Sequence, residues 1–294
     1  TQSRRQLESE LHAILRRSVS RCLDDGETGC FLSGGIDSST VAGLLAEARS
    51  PARSFTIGFE QKEYDETEFA RTTANHFGLT ANEYRVTPED VIDILPKIAA
   101  AYDEPFGNSS VVPAYYCARM ARNEGISTLL AGDGGDELFG GNVRYVTQQI
   151  FNIHDVMPAW IRNGILKPLA FSAPGADKFF LTRKLQSYIR QASVPMPDRM
   201  QTYNYLKRTP VEEILHPELL GAIDLEKPAE MQREAYFGAD TDSMLERMLQ
   251  LDWKFTLADN DVRKVSRMCE MAGINVRYPF LDDELLEFSA KVPS

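Results

Sequence analysis

The sequence predicts an α/β protein: a parallel, doubly wound sheet followed by a mainly helical second half. Two observations carry that expectation. Strand and helix patterns alternate through the first 140 or so residues, the order produced when parallel strands are joined by right-handed crossovers. From about Arg144 the strand signals nearly vanish, and helix candidates punctuated by Pro158, Pro168, Pro174, Pro195, Pro197, Pro210 and Pro217 take over. The change near residue 145 carries no flexible tether, so 1–145 and 146–294 read as an α/β part and a helical part of one domain.

Each element has a local reason. Leu7, Leu11, Ile14, Leu15, Val19 and Leu23 recur at helical spacing with charges between them, an amphipathic helix over the first 24 residues. Gly29-Cys30-Phe31-Leu32 is a short apolar run ended by Ser33-Gly34-Gly35, a buried strand entering a tight turn, and the apolar stretch from Thr40 begins a helix. A second strand spans Arg53 to Phe59, and a helix from about Glu66 to Phe77 places Phe69, Ala70, Ala74 and Phe77 on one side, with Gly78 ending it. A third strand (Asn82 to Val86) passes through Thr87-Pro88-Glu89-Asp90, a helix start with proline in its first turn, into a helix reaching Tyr102. Val111 to Asn123 is helical, and Ser127 to Ala131 is a fourth strand closing at Gly132. Ligands of such sheets sit beyond the carboxyl ends of the strands.

With 294 residues, 43% hydrophobic and 26% charged, the chain can bury a full core and is not a disordered one. A net charge of −11 has the wrong sign for a surface that holds nucleic acid and suits small ligands. Cys22, Cys30, Cys117 and Cys269 form no C-x-x-C pair, so neither a zinc site nor a disulfide framework is expected, and a reducing cytoplasm is the simplest setting. No apolar run approaches the roughly 20 residues of a spanning helix, and the first residues lack a signal-peptide core, so no membrane partner is expected. His12, His76, His154 and His216 stand alone at no ligand spacing, and Trp160 and Trp253 read as packing residues.

Two loops carry chemistry. In Ser33-Gly34-Gly35-Ile36-Asp37-Ser38-Ser39 the glycines allow close backbone approach, the serines add hydroxyl donors, and the following helix contributes its positive end. The same residues also suit an ordinary strand-to-helix turn, but seven consecutive ones in this context favour an anion cradle. Neither G-x-x-x-x-G-K-[ST] nor G-x-G-x-x-G is present, so the phosphate grip is of another kind. The second loop, Gly132-Asp133-Gly134-Gly135-Asp136-Glu137, puts three carboxylates in five residues, which repel unless cations or substrate amines neutralise them. Mg²⁺ is the natural partner, held by Asp37 and Asp136 from the two loops together with substrate phosphates.

Ser-Gly-Gly-x-Asp-Ser-Ser resembles the pyrophosphate loop of the N-type ATP pyrophosphatases, which implies the adenine nucleotide α-hydrolase type of parallel sheet. The second loop resembles that of the synthetase domain of glutamine-dependent asparagine synthetases. Tyr64-Asp65-Glu66, Asp103-Glu104-Pro105-Phe106 with Ser109-Ser110, Lys264-Val265-Ser266-Arg267-Met268 and Arg277-Tyr278-Pro279-Phe280-Leu281-Asp282 are similar too, and 145–245 is the least alike. The resemblance implies a ligase using ATP and Mg²⁺. A carboxylate, most simply the aspartate side chain, attacks the α-phosphorus, pyrophosphate leaves, and ammonia displaces AMP to give the amide.

By the same resemblance Lys264 is the cation facing the leaving pyrophosphate, and Asp133, at a position where relatives carry Glu or Asp, orients the amine or takes its proton. Lactam-forming relatives carry Tyr there, so an acid favours external ammonia. Leu32, Ile57 and Gly132 are candidate contacts for adenine, and serve equally well as core residues; Ser33, Gly34, Gly35, Asp37, Ser38 and Ser39 are assigned to the nucleotide. Asn108 stands where relatives often carry Asp. Relatives begin with a glutaminase domain, whereas Thr1 opens directly into the helix leading to the ATP part, so the chain reads as an excised domain, as a synthetase that uses free ammonia, or as one fed by a separate glutaminase. The family's synthetase domain also usually continues for several helices beyond the equivalent of Ser294. The pattern leaves room for a homodimer. Competing readings are a pyrophosphatase of another branch, adenylating a tRNA base, a nucleotide or a lactam precursor, and a nucleotide-binding module without turnover.

Overall fold

A computed structural model describes residues 3–59, 66–171, 180–202 and 209–292. Helix α1 (Arg4–Cys22) buries Ile14, Leu15 and Val19 from the expected stripe, and the Ser3 N–H donates to Gln6 Oε1 at its start. There follow β1 (Thr28–Phe31), α2 (Ile36–Ala48), β2 (Arg53–Gly58), α3 (Thr67–Phe77) and β3 (Thr80–Arg85). Gly78 closes α3 at φ 69°, the left-handed conformation that favours glycine. Helix α4 (Pro88–Ala101) opens on a reciprocal cap: Asp90 N–H donates to Thr87 Oγ1 at 3.2 Å and Thr87 N–H to Asp90 Oδ2 at 3.0 Å. Then come α5 (Val111–Asn123), β4 (Thr128–Leu130) and the short α6 (Gly135–Phe139).

The sheet runs β3-β2-β1-β4-β5, with every pair parallel and β5 formed by Asn275–Arg277. Cys30 pairs with Ser54 on one side and with Leu130 on the other, which puts β1 at the centre. The chain leaves β1 toward β2 and leaves β4 toward the opposite edge, so their carboxyl ends form the switch point where doubly wound sheets bind ligands.

One core packs α1, α2 and α3 on the sheet through Val41, Leu45, Cys30 and Leu130; another joins α5 to the sheet and to the helix Arg263–Ala272 through Phe55, Ala118, Leu129 and Cys269. Helices thus cover both faces, and burying each large aliphatic side chain contributes about 1.5–3 kcal/mol. All four cysteines are free thiols. Among the described residues no helix is long and apolar enough to cross a membrane.

The chain divides into two compact units, Thr1–Gly141 with Asp252–Ser294, and Asn142–Leu251. The seam expected near 145 lies close to the first junction, but 146–294 is not a single part: the chain rejoins the sheet unit at Asp252 and adds β5. That strand has one apolar side chain, Val276, in three residues, too few for an alternation to show. Helix α3 departs in detail as well, since Ala70 and Ala74 are buried while Phe69 and Phe77 are exposed. Each phenylalanine instead covers a glycine: Phe69 backs onto Gly34 and Phe77 onto Gly43. The second unit contains the helices Val143–Val156, Phe180–Ala192 and Lys227–Phe237. Tyr64 and Asp65 lie outside the described residues.

Candidate active site

The turn after β1 depends on Gly34, whose φ is 87° and whose Cβ position lies 2.5 Å from Phe69 Cβ and 2.8 Å from Ala70 N. Any side chain there meets α3. Past it, Ser33 Oγ and Ser38 Oγ share a hydrogen bond of 2.9 Å, Ser33 N–H donates to Ser38 Oγ, and Gly35 N–H donates to Ser33 Oγ at 3.3 Å. Ser38 Oγ also donates to Gly35 O. The hydroxyls therefore brace the loop in one shape, and the first turn of α2 lies on the cleft.

The loop after β4 presses against this turn. A Cβ on Gly132 would lie 2.7 Å from Ser38 N, and one on Gly135 2.4 Å from Asp37 Cγ, so only glycine admits the approach. Gly134 turns the chain at φ 107°, and the Asp136 N–H donates to the Asp37 carboxylate. Facing the two loops, the segment Trp253–Val262 winds as a widened π-type helix into Arg263–Ala272, a feature frequent at functional sites. It presents Lys264, whose Nζ lies 2.8 Å from Asp261 Oδ1. The cleft between these parts has a volume of about 810 Å³, and Ser33, Asp37, Asp133, Asp136, Glu137 and Lys264 line it.

Carboxylates crowd this cleft, and the surroundings disfavour their charge. Asp37 is pushed up to about 6 by burial first and then by Asp136 and Asp133, with the Asp136 N–H opposing. Asp133 is likewise raised to about 6, by burial, against the pull of Lys264 and with a push from Asp261. Burial raises Glu137 to about 7, helped by Asp136, Asp261 and Asp252. Two further contacts hold the helix that carries Lys264. Ser266 Oγ and Tyr278 Oη lie 2.7 Å apart, joining the helix to the residue after β5, and Arg263 pairs with Asp103 at 2.6 Å and with Glu104. Asn108 Nδ2 donates to Asn260 Oδ1 at 3.0 Å. The Asp103–Phe106 stretch is thereby tied to the same wall.

Asp37 and Asp136 fit a magnesium ion as a donor set: two hard carboxylates from facing loops, each beside a glycine whose Cβ would strike its oxygens, at Gly135 and Gly141 respectively. Among the described residues there is no group of three or more His, Cys, Asp or Glu side chains that could hold a metal ion.

Of the residues singled out in the sequence, Ser33, Gly35, Asp37, Ser38, Gly132, Asp133, Asp136 and Lys264 are brought together on the cleft. Gly34 lies behind it against α3, and Ser39 Oγ meets Thr73 Oγ1 at 3.1 Å. Leu32 is 2% exposed in the core, with its backbone bonded to Phe55 O and Thr56 Oγ1, and Ile57 packs with the clusters on the other face; neither lines the cleft. Sequence reasoning missed Asp261, whose place three residues before Lys264 on a helix was the available signal. It noted Glu137 only as part of the acidic run.

The family model for asparagine synthase matches residues 10–294. Asparagine synthetase [glutamine-hydrolyzing] 1 of Bacillus subtilis is 26% identical over 271 residues, covering 92% of this chain and 41% of that protein. A Mycobacterium tuberculosis protein provisionally named a glutamine-hydrolyzing asparagine synthetase is 27% identical over 293 residues, covering 97% of this chain and 42% of that protein. The chain thus spans less than half the length of these relatives. Among solved structures, an NH3-dependent NAD synthetase from Campylobacter jejuni superposes at a TM-score of 0.32 and 15% identity, covering 69% of this chain and 97% of that one, a likeness too slight to bear on the site.

Proposed function

Because the chain belongs to the asparagine synthase family, we propose that its cleft activates a carboxylate with ATP and passes the acyl group to ammonia, the acid being aspartate. The observation that supports this reading is the meeting of the β1 and β4 loops at the switch point of the sheet, opposite a lysine. In this reading Ser33, Gly35, Ser38 and the first turn of α2 bind the β and γ phosphates of ATP. A carboxylate oxygen of the acid attacks the α-phosphorus, forming the acyl-adenylate as the bond to pyrophosphate breaks. Lys264 stabilises the charge that appears on the departing pyrophosphate, exchanging part of its pairing with Asp261 for the new anion.

Ammonia then attacks the acyl carbon, AMP leaves with the electron pair, and the extra proton on nitrogen passes to Asp133. A carboxyl held at about 6 is largely ionised at neutral pH yet basic enough to take that proton. Asp37 and Asp136 would hold magnesium, which when bound supplies charge neutralisation on the phosphates. The ammonia comes from a glutaminase domain or subunit, as the bracketed part of the relatives' name suggests.

The test is magnesium-dependent exchange of labelled pyrophosphate into ATP with aspartate, with glutamate and without acid. Exchange that requires aspartate supports the reading, and exchange that requires another acid moves the acceptor assignment. ATP binding without any exchange refutes the enzyme and leaves a nucleotide-binding module. Lys264→Ala should lower the exchange rate by roughly 10²–10³-fold with unchanged circular dichroism.

A further inference from the structure

The unit Asn142–Leu251 contains a partly open pocket of about 170 Å³ that amide formation does not use. Arg144, Thr147, Gln148, Gln191, Arg199 and Thr202 supply its polar lining. Arg199 is 1% exposed, an unusual place for a charge that has no need to be there. Its Nε donates to Gln148 Oε1 at 3.0 Å, and its Nη1 donates to Asp155 Oδ2 at 3.2 Å and Ala192 O at 3.3 Å. Its Nη2 is buried and has no acceptor. The Phe151 ring lies 5.9 Å from the guanidinium carbon and offers no oxygen. A cationic donor left so is a deficit that a bound acceptor would remove.

The lining says what that acceptor is. Arg144 brings a second guanidinium, two threonines and the amides of Gln148 and Gln191 add neutral donors, and among the described lining residues there is no carboxylate, Asp155 meeting Nη1 from outside that lining. At about 30 Å³ for each water-sized group the volume admits about five or six such groups, enough for a small anion and too little for a nucleotide. We propose that this cavity binds a compact oxyanion, inorganic phosphate or a small carboxylate, through Arg199 Nη2 and the Arg144 guanidinium. Charge-assisted hydrogen bonds from a buried arginine are the strong kind, and binding to the folded unit alone stabilises it.

The cleft loop also attracts phosphate, so the test must separate the two places. Isothermal titration at fixed ionic strength uses inorganic phosphate in one arm and L-aspartate in the other, on the wild-type chain and on Arg144→Gln, Thr147→Val and Ser38→Ala. Arg144 and Thr147 are half-buried, and their variants avoid the disruption that replacing Arg199 risks. The expected result is saturable binding of at least one probe that each cavity variant weakens, Arg144→Gln by about tenfold, the loss of one charge-assisted bond. Ser38→Ala should leave that binding in place. Saturation by phosphate alone or by aspartate alone identifies the source. Absence of saturable binding by either probe in the millimolar range overturns the proposal, as does binding that Ser38→Ala removes and the cavity variants leave untouched.

Discussion

Replacing Asp133 with asparagine should stabilise the folded sheet unit at alkaline pH while impairing amide formation. The carboxyl sits at about 6 in the folded chain against an ordinary value of 3.8. A difference of about two units, at 1.36 kcal/mol each, sets a ceiling of about 3 kcal/mol for the penalty of ionising it in place. Asp133 is only partly buried by solvent contact and Lys264 compensates some of its charge, so roughly 1–2 kcal/mol is the figure to expect. The folded group holds its proton more tightly than the unfolded one does. Between about pH 4 and 6 the folded state therefore binds more protons, and its stability falls as pH rises through that window and then levels. Asparagine imitates the neutral form and removes this one contribution. Trp253 packs against the core of the sheet unit, and Trp160, 68% exposed, belongs to the other. In a Trp160→Phe background, urea unfolding followed by Trp253 fluorescence at pH 8 and near pH 4 then reads the right unit. A gain at pH 8 that shrinks near pH 4 is expected. Equal gains at both values, or a loss at pH 8, would refute the claim that the cleft disfavours this charge.

Glu137→Gln should behave alike over a higher window, its stabilisation developing as pH rises from about 4.5 to about 7, read by the same unfolding curves. Gly34→Ala combines a φ of 87° with a Cβ 2.5 Å from Phe69, so a loss of about 1–3 kcal/mol and of ATP affinity should appear in urea unfolding and nucleotide titration. Burial pushes the Cys30 and Cys269 thiols up to about 12 and Cys117 well above its usual range, whereas Cys22 is half-buried and less shifted. Iodoacetamide at pH 8 should therefore alkylate Cys22 first, with the other three labelled only after unfolding, as peptide mass spectrometry would show.

What the sequence made legible was whatever is enforced locally. The β1 loop could be read as a tight turn into a helix because its glycine and serines at fixed offsets bond among themselves, and the α4 start because Thr87, Pro88 and Asp90 satisfy the first-turn donors among themselves. Leu32 and Ile57 could not be assigned between core and cleft, because apolar side chains beside a strand end serve both and only packing decides. Here Leu32 is buried in the core, while Ile57, half-buried, packs against it. Strand β5 escaped notice for a related reason: its place at the sheet edge comes from pairing with Thr128–Leu130, a contact between residues far apart in sequence.

The acidic cleft shows the same division between local and distant causes. Asp133, Asp136 and Glu137 are neighbours in sequence, so their crowding was visible; Asp37 and Asp261 join them only because β1 pairs with β4 and a distant helix returns over both. Among the described residues of the cleft, five carboxylates face one lysine and oppose folding, as the raised values of three of them record. The glycines at 132, 135 and 141 deepen the crowding by admitting backbone where side chains would have held the loops apart. Replacing one of these acids by its amide would relieve the crowding, whereas alanine at 132 or 135 would strike Ser38 N or Asp37 Cγ. The two sheet cores of buried apolar side chains supply the stability that this crowding opposes.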